Sequence, residues 1–144
     1  RKETFWMPLI QYCDESSNIL RHTPHIILRV RVPFEEWTIS YYKRLGPIGH
    51  ITADTASFVF LARAQKNLLS DIKLLFGSRQ LIKSKEFENL LTGKGLPIDR
   101  RSVGALMKET EDIFNDTFSA AEISEFQKIC FLNLIEESIY LLTN

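Results

Sequence analysis

Cys13, Asp14, His22 and His25 are the residues of this chain whose types best suit a metal. Thiolate, carboxylate and imidazole are the ligands that zinc takes. Their spacing does not support a site. Histidines three apart share a face on a helix, but Thr23-Pro24 lies between these two, and a residue before proline is pushed out of helical backbone. No second ligand pair follows at zinc-finger spacing, and His50 stands apart. We expect no metal, with the histidines as polar loop or strand-end residues.

Gly93-Lys94-Gly95 has the look of a phosphate-binding loop. A P-loop needs a glycine five residues before its Gly-Lys pair and a hydroxyl residue after it. Here Glu88 and Gly95 fill those places, so both the open turn and the metal-holding hydroxyl are missing. The carboxylate pairs Glu35-Glu36 and Glu136-Glu137 are adjacent in sequence. Neighbours on a helix do not face each other, so neither pair converges on one substrate atom. No nucleophile elbow, zinc-protease helix or dinucleotide fingerprint occurs. The chain reads as a non-enzymatic protein without a cofactor.

Two binding chemistries remain. Arg79, Lys83, Lys85, Lys94, Arg100 and Arg101 concentrate positive charge around a short helix, a glycine loop and a second helix start. That outline resembles a helix-turn-helix, in which the second helix opens on the bases and flanking cations hold phosphates. Against it, the loop is longer than usual, and Glu109, Glu111 and Asp112 follow on the same helix. Nucleic-acid binding through residues 79–101 is therefore the alternative reading. The first reading is a protein-interaction or assembly module. Trp37 and Tyr41 stand with Phe34 and Tyr42 close to Lys43 and Arg44, and Trp, Tyr and Arg are the residues most enriched in binding hot spots. Arg29 and Arg31 lie on one side of an alternating segment that could add to a partner's sheet or pair with a second copy, giving a homodimer.

Charge partition bears on the same choice. Lysine plus arginine total 18 and aspartate plus glutamate total 18, so the 144-residue chain is formally neutral. Residues 1–76 carry +3, residues 77–108 carry +4 and residues 109–144 carry −7. A basic body and an acidic last quarter suit two different partner surfaces, or one another. Apolar residues at 44% and charged residues at 25% are ordinary for a globular domain and exclude a disordered or disulfide-dense chain. No apolar run reaches the length of a membrane span, and no signal-peptide pattern opens the chain. Two cysteines, Cys13 and Cys130, argue only weakly for a bridge, which favours an intracellular setting, cytoplasmic or nuclear. Residue 1 is Arg, which predicts a piece of a larger protein comprising one domain over 1–144.

The positioning elements follow from periodicity. Thr4–Tyr12 reads as an edge strand or packed arm around Pro8. His25–Val32 alternates Ile26, Leu28, Val30 and Val32 against Ile27, Arg29 and Arg31, the pattern of a half-buried strand. Pro33-Phe34-Glu35-Glu36-Trp37 predicts a helix start, with Phe34, Trp37, Tyr41 and Leu45 as its stripe and Gly46-Pro47 as its stop. A strand through Trp37, Ile39 and Tyr41 is the rival. Asp54 is expected to cap a helix reaching Phe76, with Phe58, Leu61, Leu68, Leu69, Ile72, Leu75 and Phe76 inward. Ser84 predicts a helix over Lys85–Thr92, and Asp99 one over Arg100–Asn115. Ser119 with Glu122 predicts a capping box for a last helix over Ala120–Leu142. The expectation is a mainly α domain of four to five packed helices with a small β element near the N-terminus, and α+β as the alternative class.

Overall fold

The structure, a computed structural model, describes residues 4–8, 27–32, 34–79, 81–120 and 123–144. The chain divides into two compact units, Arg1–Phe34 and Glu35–Asn144. In the first unit the described residues adopt no regular secondary structure, so 27–32 form no strand where alternation predicts one. Thr4–Pro8 is likewise irregular; the rest of that predicted arm, and His25 and Ile26, fall outside the described residues.

The second unit is α+β. An antiparallel sheet in the order β1-β2-β3-β4 is built from β1 (Ile39–Leu45), β2 (Ala56–Gln65), β3 (Leu68–Gly77) and β4 (Leu81–Ile82). Three helices follow: α1 (Lys85–Leu91), α2 (Val103–Ala120) and α3 (Glu125–Leu141). This overturns the mainly helical expectation: the described residues hold a four-stranded sheet and three helices rather than four or five.

Two predicted helices are strands. The segment read as a helix from Phe34 to Leu45 is an extended lead-in followed by β1, so the rival alternation through Ile39 and Tyr41 is the correct period. The long helix predicted up to Phe76 is the β2–β3 hairpin, turned by Lys66 and Asn67 with φ of 51° and 60°. Consecutive left-handed residues make the tight turn whose twist matches paired strands. Ala56, Phe58, Phe60 and Ala62 of β2 alternate inward, as do Ile72, Leu74 and Phe76 of β3. Between Arg63↔Asp71 and Ala64↔Leu69 the register shifts, which leaves Ser70 as an extra residue. Its hydroxyl donates to the Arg63 carbonyl at 3.1 Å. This bulge turns both Leu69 and Ile72 inward. Their spacing of three is what imitates a helix.

The helices cover one side of the sheet. Ser84 caps α1 as expected, its Oγ accepting from the Phe87 amide at 3.2 Å, and Phe87 and Leu91 are buried. Asp99 caps a single 3-10 turn over Arg100–Ser102 that leads into α2, which runs past the expected end at Asn115 to Ala120. The last helix starts at Glu125, not Ala120. Ser124 and Gln127 form its capping box, replacing the expected Ser119 with Glu122; Glu122 lies outside the described residues. A ring cluster fills the interior. Phe131 of α3 meets Phe76 and Phe114 at 4.9 Å, Phe118 at 5.6 Å and Phe58 at 6.0 Å, tilted or edge-on, as aromatic quadrupoles prefer. Thr110 and Ser138, fully buried, satisfy their hydroxyls on the carbonyls of Leu106 and Leu134 one turn earlier. Among the described residues, no helix is long and apolar enough to cross a membrane.

Candidate protein interface

The β1–β2 loop, residues 46–55, is held by its own polar groups. Gly46 and Gly49 take φ of 103° and 82°, values that side-chain-bearing residues avoid. The Arg44 guanidinium reaches over the loop and donates from Nη1 to the Pro47 carbonyl at 2.8 Å and from Nη2 to the His50 carbonyl at 2.9 Å. At the far end the Thr52 amide donates to Thr55 Oγ1 at 2.8 Å, and the Thr55 amide returns to the Thr52 carbonyl at 3.1 Å. Gln127 Nε2 ties the Ala53 carbonyl to the start of α3 at 3.3 Å. On this frame Ile48 is 95% exposed and Ile51 91% exposed.

The sheet's outer face adjoins the loop in sequence. Register places Tyr42, Val59 and Leu75 in one row across three strands. Tyr42 is exposed, and Val59 and Leu75 are half-buried. At the other end of β2, Arg63 binds Glu35 Oε2 at 2.8 Å and the Glu36 carbonyl at 3.2 Å, and its guanidinium lies 4.5 Å from the centre of the Trp37 ring. Cation–π stacking and the bond from the Ala64 amide to Thr38 Oγ1 at 2.9 Å hold 35–38 against β2.

Within the second unit the residues singled out from sequence do not converge. Trp37 is half-buried on Arg63. Tyr41 faces the helices, its ring 5.9 Å from Phe58 and its hydroxyl donating to Glu137 of α3. Arg29 and Arg31 are exposed in the first unit. Of the basic stretch, Arg79, Lys83, Lys85, Arg100 and Arg101 are exposed and Lys94 is half-buried. The link between α1 and α2 is not a tight turn. It lies along the β2–β3 hairpin, with the Leu69 amide donating to Lys94 at 2.9 Å, Gly93 to Leu69 at 2.7 Å and Leu96 to Asn67 at 2.8 Å. A groove of about 350 Å³ beside it is lined in part by Lys94, Asp99 and Glu109, and the Asp99 carboxylate accepts from the Arg101 amide at 3.0 Å.

Among the described residues no three His, Cys, Asp or Glu side chains could share a metal ion. Cys13, Asp14, His22 and His25 lie outside them, and Cys130 is a free, half-buried thiol. Sequence reasoning missed Ile48 and Ile51. Two glycines around apolar residues, Gly46-Pro47-Ile48-Gly49-His50-Ile51, were the available signal.

Desolvation, then the hydrogen bond and negative charge of Glu137, push the Tyr41 phenol up to about 12. A raised folded-state pKa means that the unfolded chain loses its proton first, near the ordinary value of about 10. The stabilisation is therefore complete below that pH and is lost as pH rises through about 12. Tyr41→Phe should flatten this alkaline loss, read from denaturant midpoints across the range, while phenolate absorbance of the native chain should lose its latest-titrating component.

Comparison of the chain with protein-family models, curated proteins and solved structures finds no match.

Proposed function

We propose that this protein is a non-enzymatic interaction module that inserts the Ile48–Ile51 knob of its β1–β2 loop into an apolar pocket of a partner protein. The observation that carries this reading is the pairing of near-complete exposure with a fixed frame. Two isoleucines at 95% and 91% exposure stand on a loop locked by Arg44, Thr55 and Gln127. A preorganised loop loses little conformational freedom on binding, so buried apolar area converts efficiently to affinity. Lys43 and Arg44 at the loop's base favour carboxylates on the pocket rim.

The test is Ile48→Ser with Ile51→Ser. Both side chains face solvent, so unfolding midpoints should stay within about 0.5 kcal/mol of wild type. A photo-crosslinking residue at position 48 should join the partner at its pocket, and the double variant should abolish that partner's retention. Equal retention by wild type and variant would defeat the reading.

A further inference from the structure

The described part of the first unit contains a β-forming sequence that forms no strand. Residues 27–32 are Ile, Leu, Arg, Val, Arg and Val, rich in the branched types that strands favour. All six are exposed, and none belongs to a ladder. Leu28, Val30 and Val32 are 71%, 62% and 78% exposed, at the spacing of two that lines one face of a strand. Ile27, Arg29 and Arg31 make the other face. A strand needs partners for its backbone amides and carbonyls, and an apolar row needs cover.

Charge decides which partner fits. Residues directly opposite in an antiparallel ladder share a face, and like charges there are destabilising. Suppose two copies of 27–32 paired with their apolar rows together. The four guanidiniums of the two Arg29 and two Arg31 residues would then gather on the opposite face, in facing or diagonal positions. Shifting the register by one residue would instead drive arginines into the apolar row. Lys43 and Arg44 are exposed on β1, which ends one edge of the sheet, and as neighbours they take opposite faces, so either orientation of 27–32 on a second copy's β1 puts a cation on the same face as Arg29 and Arg31. From this we infer that residues 27–32 dock as an added strand on the open sheet edge of a different protein, whose row facing Arg29 and Arg31 carries carboxylates. This inference does not rest on the Ile48–Ile51 loop, and either can fail without the other.

The test uses the full chain and amide hydrogen exchange, with two probes: a blocked peptide alternating valine and glutamate, and one alternating valine and lysine. The glutamate peptide should slow exchange at alternate amides of 27–32 by roughly tenfold, the effect of two opposed charge pairs, and the lysine peptide should not. Arg29→Glu with Arg31→Glu should reverse that preference while leaving exchange in β2 and α3 unchanged. Absence of protection with either peptide, or equal protection with both, would overturn the inference. Protection in the chain alone would do so as well: it would assign the strand to a second copy if it grew with protein concentration, and to a partner segment within the chain if it did not.

Discussion

Phe131→Ala is expected to lower unfolding free energy by about 3–5 kcal/mol, the upper range for removing a buried ring. The site cannot collapse cheaply. Phe131 touches rings from both long central strands, Phe58 on β2 and Phe76 on β3, and two more from α2, Phe114 and Phe118. All four neighbours are buried, so filling the void would require the sheet and two helices to move together. Lost edge-to-face geometry adds to lost burial. A fall in the melting temperature of roughly 10 °C or more follows for a unit of this size. Phe131→Leu should cost clearly less, because it retains much of the volume. Differential scanning calorimetry of the three proteins checks this, and a loss under about 1 kcal/mol for the alanine variant would contradict the packing described.

Gly46→Ala is expected to cost about 3 kcal/mol, by adding left-handed strain to a steric clash. A Cβ at Gly46 would lie 2.9 Å from Thr55 Oγ1, closer than real Cβ atoms come, and 3.1 Å from the Thr55 Cα, tighter than nine in ten real contacts, and φ is 103°. Thr55 cannot turn away without giving up its bond from the Thr52 amide. Gly49→Ala is the internal control. Its φ is 82°, yet nothing lies within 4 Å of the added carbon. It should cost only the conformational part, about 1–2 kcal/mol. The difference between the two, measured by urea denaturation, isolates the close approach between Gly46 and Thr55. Equal costs would mean that the loop is free to move aside.

How much of this was legible depended on whether local signals and tertiary packing agreed. Ser84 and Asp99 marked true helix starts because a cap is satisfied within one turn of chain. The β2–β3 hairpin was hidden for identifiable reasons. Its turn is Lys66-Asn67, without the glycine that usually announces one. Its bulge at Ser70 breaks the alternation of β3, so Leu69 and Ile72 acquire helical spacing. After β1, Gly46-Pro47 reads as a helix stop, yet it opens a loop whose carbonyls the Arg44 guanidinium binds. The candidate site followed the same division. Aromatic clustering drew attention to Tyr41 and Trp37, and the structure seats one against Phe58 and the other on Arg63. The exposure of Ile48 and Ile51 depends on hydrogen bonds from Arg44 and Gln127, contacts that periodicity does not encode.

The place of Phe131 along the chain also governs the order in which this protein can be made. The four strands are neighbours in sequence and emerge from the ribosome together, but the ring that seals their apolar side belongs to α3, which follows them and two other helices. Until α3 has left the exit tunnel, Phe58, Phe60 and Phe76 have only the earlier helices to cover them. A nascent meander in that state is a sticky, half-roofed sheet, and it depends on prompt elongation, or on a chaperone, until α3 arrives.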